Sequence, residues 1–319
     1  MPSTMTLKAY VCYPLPLCSS PKISTMTDKN STEYGASADA IEYHYGTGND
    51  YFSLWLGDSM AYSSALWDDD DPDQSLDAAQ RTKIEHHITQ ARADKAKTVL
   101  DIGCGWGSVL FPLADKYKVD QVTGLTLSES QRDWINGLEH PNINARLESW
   151  KDHDPEASYD SIISIGAFEH FAKLGASSEE KIGNYREFFK KCHGWLGSKG
   201  HMSLQTVAYG NALPGSFDDF LATEIFPETD TPFLAEIAKG CEHLFHVTAL
   251  RNDAEHYRRT LRAWYDNIKA NREQCVAMKG EEEVAMFEKY LRLCAYMYEV
   301  GGLELYRITF RKIDKPKVW

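Results

Sequence analysis

The segment Thr98-Val-Leu-Asp-Ile-Gly-Cys-Gly-Trp-Gly107 constrains the fold of this chain more than any other. Val99 and Leu100 form an apolar run that ends on Asp101, as a buried parallel strand requires. Gly103, Gly105 and Gly107 then follow at alternating positions, as in a turn whose bare backbone must approach a ligand. A helix is expected to begin near Ser108. A strand, glycine turn and helix in that order place a nucleotide-like cofactor at the carboxyl edge of a parallel sheet.

Spacing narrows the cofactor. A dinucleotide fingerprint needs Gly-x-Gly-x-x-Gly, but Ser108 stands three residues after Gly105 and the third glycine comes one residue early. No Gly-Lys-Ser/Thr follows, which excludes a P-loop. Asp-x-Gly-x-Gly-x-Gly resembles the first motif of class I methyltransferases, which bind S-adenosylmethionine, a ligand with an amino-acid tail and no phosphate. The competing reading is a glycine-rich turn with no ligand, and the strand before it and helix after it weigh against that.

Composition bounds the rest. The 319 residues are 43% hydrophobic, enough for a sizeable core in one large domain or two small ones. No apolar stretch reaches the ~18 residues that span a bilayer, so no stable membrane insertion is expected. Seven scattered cysteines with no Cys-x-x-Cys pair argue against a disulfide framework or a zinc site. No metal is therefore expected, and cysteines such as Cys241 and Cys294 read as reduced core residues of a cytoplasmic protein. A net charge of -13 repels phosphates and anionic lipid, so nucleic acid is not an expected partner. Asp68 to Asp71 and Glu281 to Glu283 supply part of that excess and read as solvated segments.

Residues 1–37 differ in composition. Pro2, Pro14, Pro16 and Pro21 stand among many Ser and Thr, with no acidic residue before Asp28. This composition resists folding and predicts a disordered extension. Organelle targeting is the minority alternative, weakened by the absence of Arg.

From residue 38 strands and helices alternate. Helices are expected over 76–92, 108–117, 181–196, from Asp253, and over 281–300. Strands are expected up to Asp101 and over 121–127, 159–165, 201–207, 245–250 and 305–310. Ser128 with Gln131 three residues on predicts a capping box. Residues 208–232, with Pro214, Pro227 and Pro232, lack periodicity, and a lid insertion is expected across about 208–242. The alternation predicts an α/β fold with a doubly wound, mostly parallel sheet.

Further motifs carry a family resemblance. Gly124-Leu-Thr-Leu-Ser-Glu-Ser-Gln131 and Ser164-Ile-Gly-Ala-Phe-Glu-His-Phe171 resemble the cyclopropane fatty acid synthase family, and most of all its mycolic acid cyclopropane synthases and methyltransferases. Tyr43-His-Tyr-Gly46, Asp50-Tyr-Phe52, Ala61-Tyr-Ser-Ser-Ala65, Thr223-Glu-Ile-Phe-Pro227 and His256-Tyr-Arg-Arg-Thr-Leu261 have counterparts there in the same order. The resemblance spans about residues 40–312. It implies a Rossmann-like class I methyltransferase, with a seven-stranded sheet flanked by helices and a helical N-terminal cap. It implies S-adenosyl-L-methionine as cofactor, reached by Tyr62 and Ser63 from the cap and by Gly103 and Gly105 at the amino-acid tail. Thr126, Leu127 and Gln131 would hold the ribose region, and Trp150 would lie beside the adenine. Asp101, Gly107 and Ile165 complete the expected cofactor set.

For the chemistry, the family holds a bicarbonate that acts as base when an alkene is methylated. Glu169 and Tyr257 match residues that bind it, Ser64 stands where a cysteine backbone amide contributes, and His170 completes a Glu-His pair shared with plant alkaloid N-methyltransferases. Two positions depart from the pattern. Gln205 replaces a bicarbonate-binding histidine and cannot carry a proton. Tyr298-Glu299-Val300-Gly301 replaces Phe-Arg-x-Gly, which exchanges a positive charge for a negative one and suits a cationic acceptor. Three readings follow. The favoured one is methyl transfer to a nitrogen, carbon or sulfur of a small molecule. The second is methylation or cyclopropanation of an unsaturated acyl chain, with bicarbonate as a second ligand. The third is a non-catalytic S-adenosylmethionine-binding protein.

Overall fold

The computed structural model describes residues 48–212 and 229–315. The chain opens with helix α1 (Asn49–Leu56), followed by α2 (Leu76–Gln90) and a 3-10 turn at Ala93–Lys95. There follow β1 (Thr98–Ile102), α3 (Leu110–Asp115), β2 (Gln121–Thr126), α4 (Glu129–Asn136), β3 (Ile143–Leu147) and β4 (Tyr159–Ile165). A second 3-10 turn, Phe168–His170, leads to α5 (Ser178–Trp195), β5 (Leu196–Tyr209), α6 (Leu234–Cys241) and β6 (Phe245–Asn252). The last elements are α7 (Ala254–Ala270), α8 (Arg272–Lys279), α9 (Glu281–Glu299) and β7 (Leu303–Lys312).

The seven strands form one sheet in the order β3-β2-β1-β4-β5-β7-β6. β1 to β5 pair in parallel, and β7 runs antiparallel between β5 and β6. The expected α/β class and mostly parallel sheet are both present. Strand order reverses between β1 and β4, and in open sheets the crevice outside the carboxyl ends at that point is where ligands bind. The glycine turn after β1 and the Gly166–Phe171 segment after β4 flank it.

Local chemistry explains the element boundaries. Ser75 caps α2 by accepting the Ala78 N–H, and Ser177 with Glu180 forms a full capping box on α5. At Ser128 only half of the expected box forms. Its hydroxyl accepts the Gln131 N–H, but the Gln131 side chain turns instead to the Thr126 hydroxyl, 2.7 Å away. β5 begins directly at Leu196, so Gly197 and Gly200 lie inside a strand and do not end the preceding helix. β3 and α8 escaped the sequence reading. β3 is five residues long with exposed, polar alternate positions, which weakens a period-2 signal.

Of the expected lid, residues 213–228 lie outside the described residues, as does the expected extension 1–37. The expected boundaries extend too far on both sides. β5 continues through Tyr209, and residues 234–241 are α6, whose Ile237 and Cys241 are buried in the core with Tyr185, Phe188 and Phe189 of α5. The prolines that suggested an irregular insertion stand before α6, not within it.

Two aromatic clusters support the crevice. Beneath the β4 side, Trp150, Phe168, Phe171, Phe188 and Phe189 pack with Leu100 and Ile162. On the other side, Phe52 and Trp55 of α1 pack with Trp264 of α7, Phe287 of α9 and Trp106 of the glycine turn. Burying one such ring stabilises a fold by roughly 1.5–3 kcal/mol, so both walls of the crevice are stiff. No helix among the described residues is long and apolar enough to cross a membrane.

Candidate active site

Two clefts meet over the carboxyl edge of the sheet. The first, about 1100 Å³ with its open mouth, is lined by Tyr62, Ser63, Asp101, Gly103, Gly105, Thr126, Leu127, Gln131, Trp150 and Ile165. Every expected cofactor residue except Gly107 lines it. A Cβ on Gly107 would lie 2.8 Å from Phe111, so that glycine serves helix packing. Gly103 is similar: at φ +81 its Cβ would lie 2.5 Å from the Cβ of Ala167. Gly105, at φ +55, has nothing within 4 Å of that position, so its bare face opens onto the cleft. The turn is pinned from below, where the Gly103 and Cys104 N–H groups both donate to the Leu125 carbonyl at 2.9 Å.

The cleft walls carry distinct chemistry. One carboxylate oxygen of Asp101 is buried with no partner among the described residues, and burial pushes the carboxyl up to about 7. Thr126 and Gln131 offer an amide and hydroxyl pair, and Trp150 presents a ring packed on Phe171 and Phe188. Ser63 is held by α2, where the Lys83 ammonium donates to its hydroxyl at 2.9 Å and the Gln80 amide donates to its carbonyl at 2.9 Å, while the Tyr62 ring packs on Phe52, Trp55 and Trp264. Lys83 is fully buried, and its ammonium is pushed down to about 7 by desolvation and by Arg307. An orphan carboxylate, a bare backbone face, a hydroxyl-amide pair and a flat ring together fit S-adenosylmethionine.

The second cleft, about 830 Å³, is lined by Tyr209, Tyr257, Tyr290, Tyr298, Glu169 and Cys294, among others. Cys294 therefore faces a cleft, although it reads as a core residue in sequence. A third, smaller space, the throat, shares Tyr62, Ser63, Gly166 and His170 with the first cleft and Glu169, His170, Tyr257 and Tyr290 with the second. It brings together Tyr62, Ser63, Gly166, Glu169, His170, Gln205 and Tyr257.

Glu169 sits on the turn after β4, where its carboxylate accepts from the Thr206 hydroxyl at 3.2 Å. Burial pushes it up to about 7, while hydrogen bonds to the ionised form pull the other way. Desolvation lowers His170 to about 4, so it is neutral, and its Nδ1 lies 2.9 Å from the Thr229 hydroxyl. Gln205 is buried and its carbonyl oxygen accepts from the Arg307 Nε at 3.0 Å.

Ser64 lines none of the three spaces. Its hydroxyl donates to the Ala65 carbonyl and its own carbonyl accepts from Arg307. Glu299 also lies elsewhere. It pairs with Arg262 at 2.9 Å and Arg258 at 3.7 Å, with about half of its side chain exposed. The charge exchange at that position thus joins α9 to α7 and does not reach the second cleft. Sequence reasoning missed Lys83 and Arg307, which look like surface cations until the fold buries them. It also missed Tyr290 and Cys294, which read as a core stripe on α9.

A doubly wound sheet with an antiparallel last hairpin, a glycine turn at its switch point and a cleft fitted to S-adenosylmethionine defines a class I methyltransferase. The comparisons with known proteins agree. The family described as mycolic acid cyclopropane synthetase matches residues 32–308, and this chain belongs to that family. Cyclopropane mycolic acid synthase 1 of Mycobacterium tuberculosis is 32% identical over 290 residues, covering 85% of this chain and 96% of that protein. A crystal structure of a mycolic acid cyclopropane synthase complexed with SAH and CTAB is 32% identical. It superposes with a TM-score of 0.78 and covers 88% of this chain and all of that one. Coclaurine N-methyltransferase, at 21% identity and a TM-score of 0.73 over 88% of this chain and 84% of that one, shares the fold. The protein is an S-adenosylmethionine-dependent enzyme.

Proposed function

We infer that this enzyme methylates a nitrogen, carbon or sulfur atom of a small-molecule acceptor held in the tyrosine-walled cleft. In this reading Asp101 would hold the ammonium of the cofactor's tail, the bare face of Gly105 would admit its chain, Thr126 and Gln131 would hold its ribose, and Trp150 would lie beside its adenine. S-adenosylmethionine supplies an electrophilic methyl on a sulfonium, and the residues of the throat supply orientation and a proton acceptor.

The observation that carries the reading is the lining of the second cleft. Glu169 is its one carboxylate among the described residues, and no lysine or arginine among them lines it. Tyrosine faces attract a cation by their quadrupole, worth roughly 0.5–2 kcal/mol each. A protonated amine is therefore the acceptor type that these walls favour. Such an amine must lose its proton before it attacks. A carboxylate whose ordinary value is raised to about 7 is suited to take it near neutral pH.

One observation favours a second reading. The throat gathers Glu169, Gln205 and Tyr257, the residues expected around a bicarbonate in acyl-chain cyclopropanation. Under that reading Glu169 orients the anion and takes no proton itself.

A transfer assay with methyl-labelled S-adenosylmethionine separates the two. The panel is hydrophobic amines, thiols, isoprenoids and mono-unsaturated phospholipids. Label on an amine, thiol or isoprenoid supports the first reading. Label only in the phospholipid acyl chains establishes the second.

A further inference from the structure

Gln205 stands in the throat, yet its amide is not free to turn. In the register of β5 with β7 it lies directly opposite Arg307. Arg307 is about 2% exposed, so its cation is buried among named partners. Its Nε donates to the Gln205 carbonyl oxygen at 3.0 Å. One terminal nitrogen donates to the Asp253 carboxylate. The other donates to the carbonyls of Ala65 at 2.9 Å and Ser64 at 3.2 Å.

A guanidinium has no acceptor atom, so the amide oxygen of Gln205 must face it. A second group meets the same oxygen, the His87 Nε2 at 3.4 Å. The other nitrogen of His87 lies 2.8 Å from the Ser203 hydroxyl, which a neutral imidazole satisfies by accepting there and donating to Gln205. What remains to Gln205 for the throat is its NH2. The same guanidinium ties down the Ser64–Ala65 backbone, next to Tyr62 and Ser63, and the Asp253 end of α7, one helical turn before Tyr257.

We propose that Arg307 is a positioning residue for methyl transfer, locking Gln205 so that its amide NH2 donates into the throat opposite Glu169. The donor meets an oxygen lone pair there, either the acceptor's own oxygen or that of a carbonate. This rests on the throat being the path of the methyl group.

Gln205→Glu tests it most cleanly. Glutamate keeps an acceptor for Arg307, so the fold and the guanidinium network survive, but the throat loses its N–H donor. Loss of one preorganised donor typically lowers turnover about 10²–10³-fold. The expected result is a fall of that size in labelled-methyl transfer, with S-adenosylmethionine affinity within about threefold of wild type. Arg307→Lys keeps the charge but loses the fork that grips several acceptors in fixed directions. Its turnover should fall by about tenfold or more. If Arg307 acts through Gln205, the double variant falls no further than Gln205→Glu alone, whereas independent effects multiply.

Turnover of Gln205→Glu within about threefold of wild type overturns the proposal, as do multiplied losses in the double variant. Should Arg307→Lys not fold, full turnover in Gln205→Glu still overturns the proposal, because an arginine that acts through Gln205 requires the Gln205 donor to matter. Assaying wild type and Gln205→Glu with carbonate stripped and with bicarbonate added identifies the oxygen. A loss in both conditions points to the acceptor, and a loss confined to added bicarbonate points to the anion. No transfer by wild type to any acceptor in the panel would strike the proposed function, whereas transfer insensitive to Gln205→Glu strikes this inference alone.

Discussion

The cofactor cleft and the acceptor cleft are built from the same sheet edge but by opposite means. The first takes most of its polar groups from the ends of β1, β2 and β4, each within a few residues of a short motif. The second is assembled from β5, α7, α9 and the turn after β4, and its tyrosines are spread across some 90 residues of sequence, from Tyr209 to Tyr298. The first has backbone faces and an orphan carboxylate suited to one fixed ligand. The second has a tyrosine-rich wall with one carboxylate, Glu169, among its described lining residues. The contrast teaches that the cofactor and the acceptor answer to different residues, with the throat as the only shared ground. Variants should therefore separate affinity for one from reaction with the other.

The largest effect is expected at that shared ground. Glu169→Gln preserves size but removes charge and basicity. General base assistance contributes typically ~10²–10⁴-fold, so turnover should fall by that factor while calorimetry shows S-adenosylhomocysteine bound as in wild type. Equal losses in affinity and rate would mean the two clefts are not separable. Next comes Gly105→Val, which should weaken cofactor affinity by about 10²-fold, or ~2.7 kcal/mol, because the side chain enters the cleft at its open face. A β-branched residue also strains the backbone at φ +55. Gly105→Asn, which tolerates that conformation better, controls for strain and should still bind poorly. Normal cofactor affinity in both would remove the glycine face from the site.

A pH profile sharpens the comparison further. If ionised Glu169 is the base, turnover rises about tenfold per pH unit up to about 7 and flattens above it. Cofactor affinity should not share that limb. The same carboxyl also affects stability, with a sign that can be worked out. Its folded value lies above the ordinary 4.5, so between about 4.5 and 7 the native state holds a proton that the unfolded chain has released. Its contribution to stability is therefore full below about 4.5 and is lost as pH rises to about 7. Denaturant titrations of wild type and Glu169→Gln across that window should converge toward low pH. The smallest effect belongs to Tyr298, whose buried hydroxyl has no hydrogen-bond partner among the described residues. Tyr298→Phe should change stability by less than about 0.5 kcal/mol, since removing an unsatisfied polar group costs little. A loss of several kcal/mol in thermal unfolding would show that the hydroxyl is structurally engaged.

Legibility in the sequence follows the same division. The glycine turn and Asp101 could be found because strand and turn grammar places such residues at a sheet's carboxyl edge, whereas Thr126 and Glu169 were placed through the family resemblance. Gln131 and Trp150 could be placed only through the family resemblance, because a capping residue and a core ring look the same in sequence. Arg307 and Lys83 gave no local signal, since burial of a cation is decided by strands and helices far away in the chain. Glu299 shows the opposite failure. Its sign change stood out in sequence and suggested the acceptor cleft, but Arg258 and Arg262 one helix away are its partners. Ser64 enters only through the resemblance, for its backbone amide, and among the described residues it lines none of the three spaces.

The central claim is that Glu169 itself, and not an anion it holds, is the proton acceptor for a small molecule bound against the tyrosines. The most direct measurement is wild-type turnover, on the acceptor found with labelled S-adenosylmethionine, in buffer stripped of carbonate. The account predicts undiminished transfer, with no gain when bicarbonate is returned. Transfer that collapses without carbonate and recovers on adding it would contradict the account and assign the base to a bound anion.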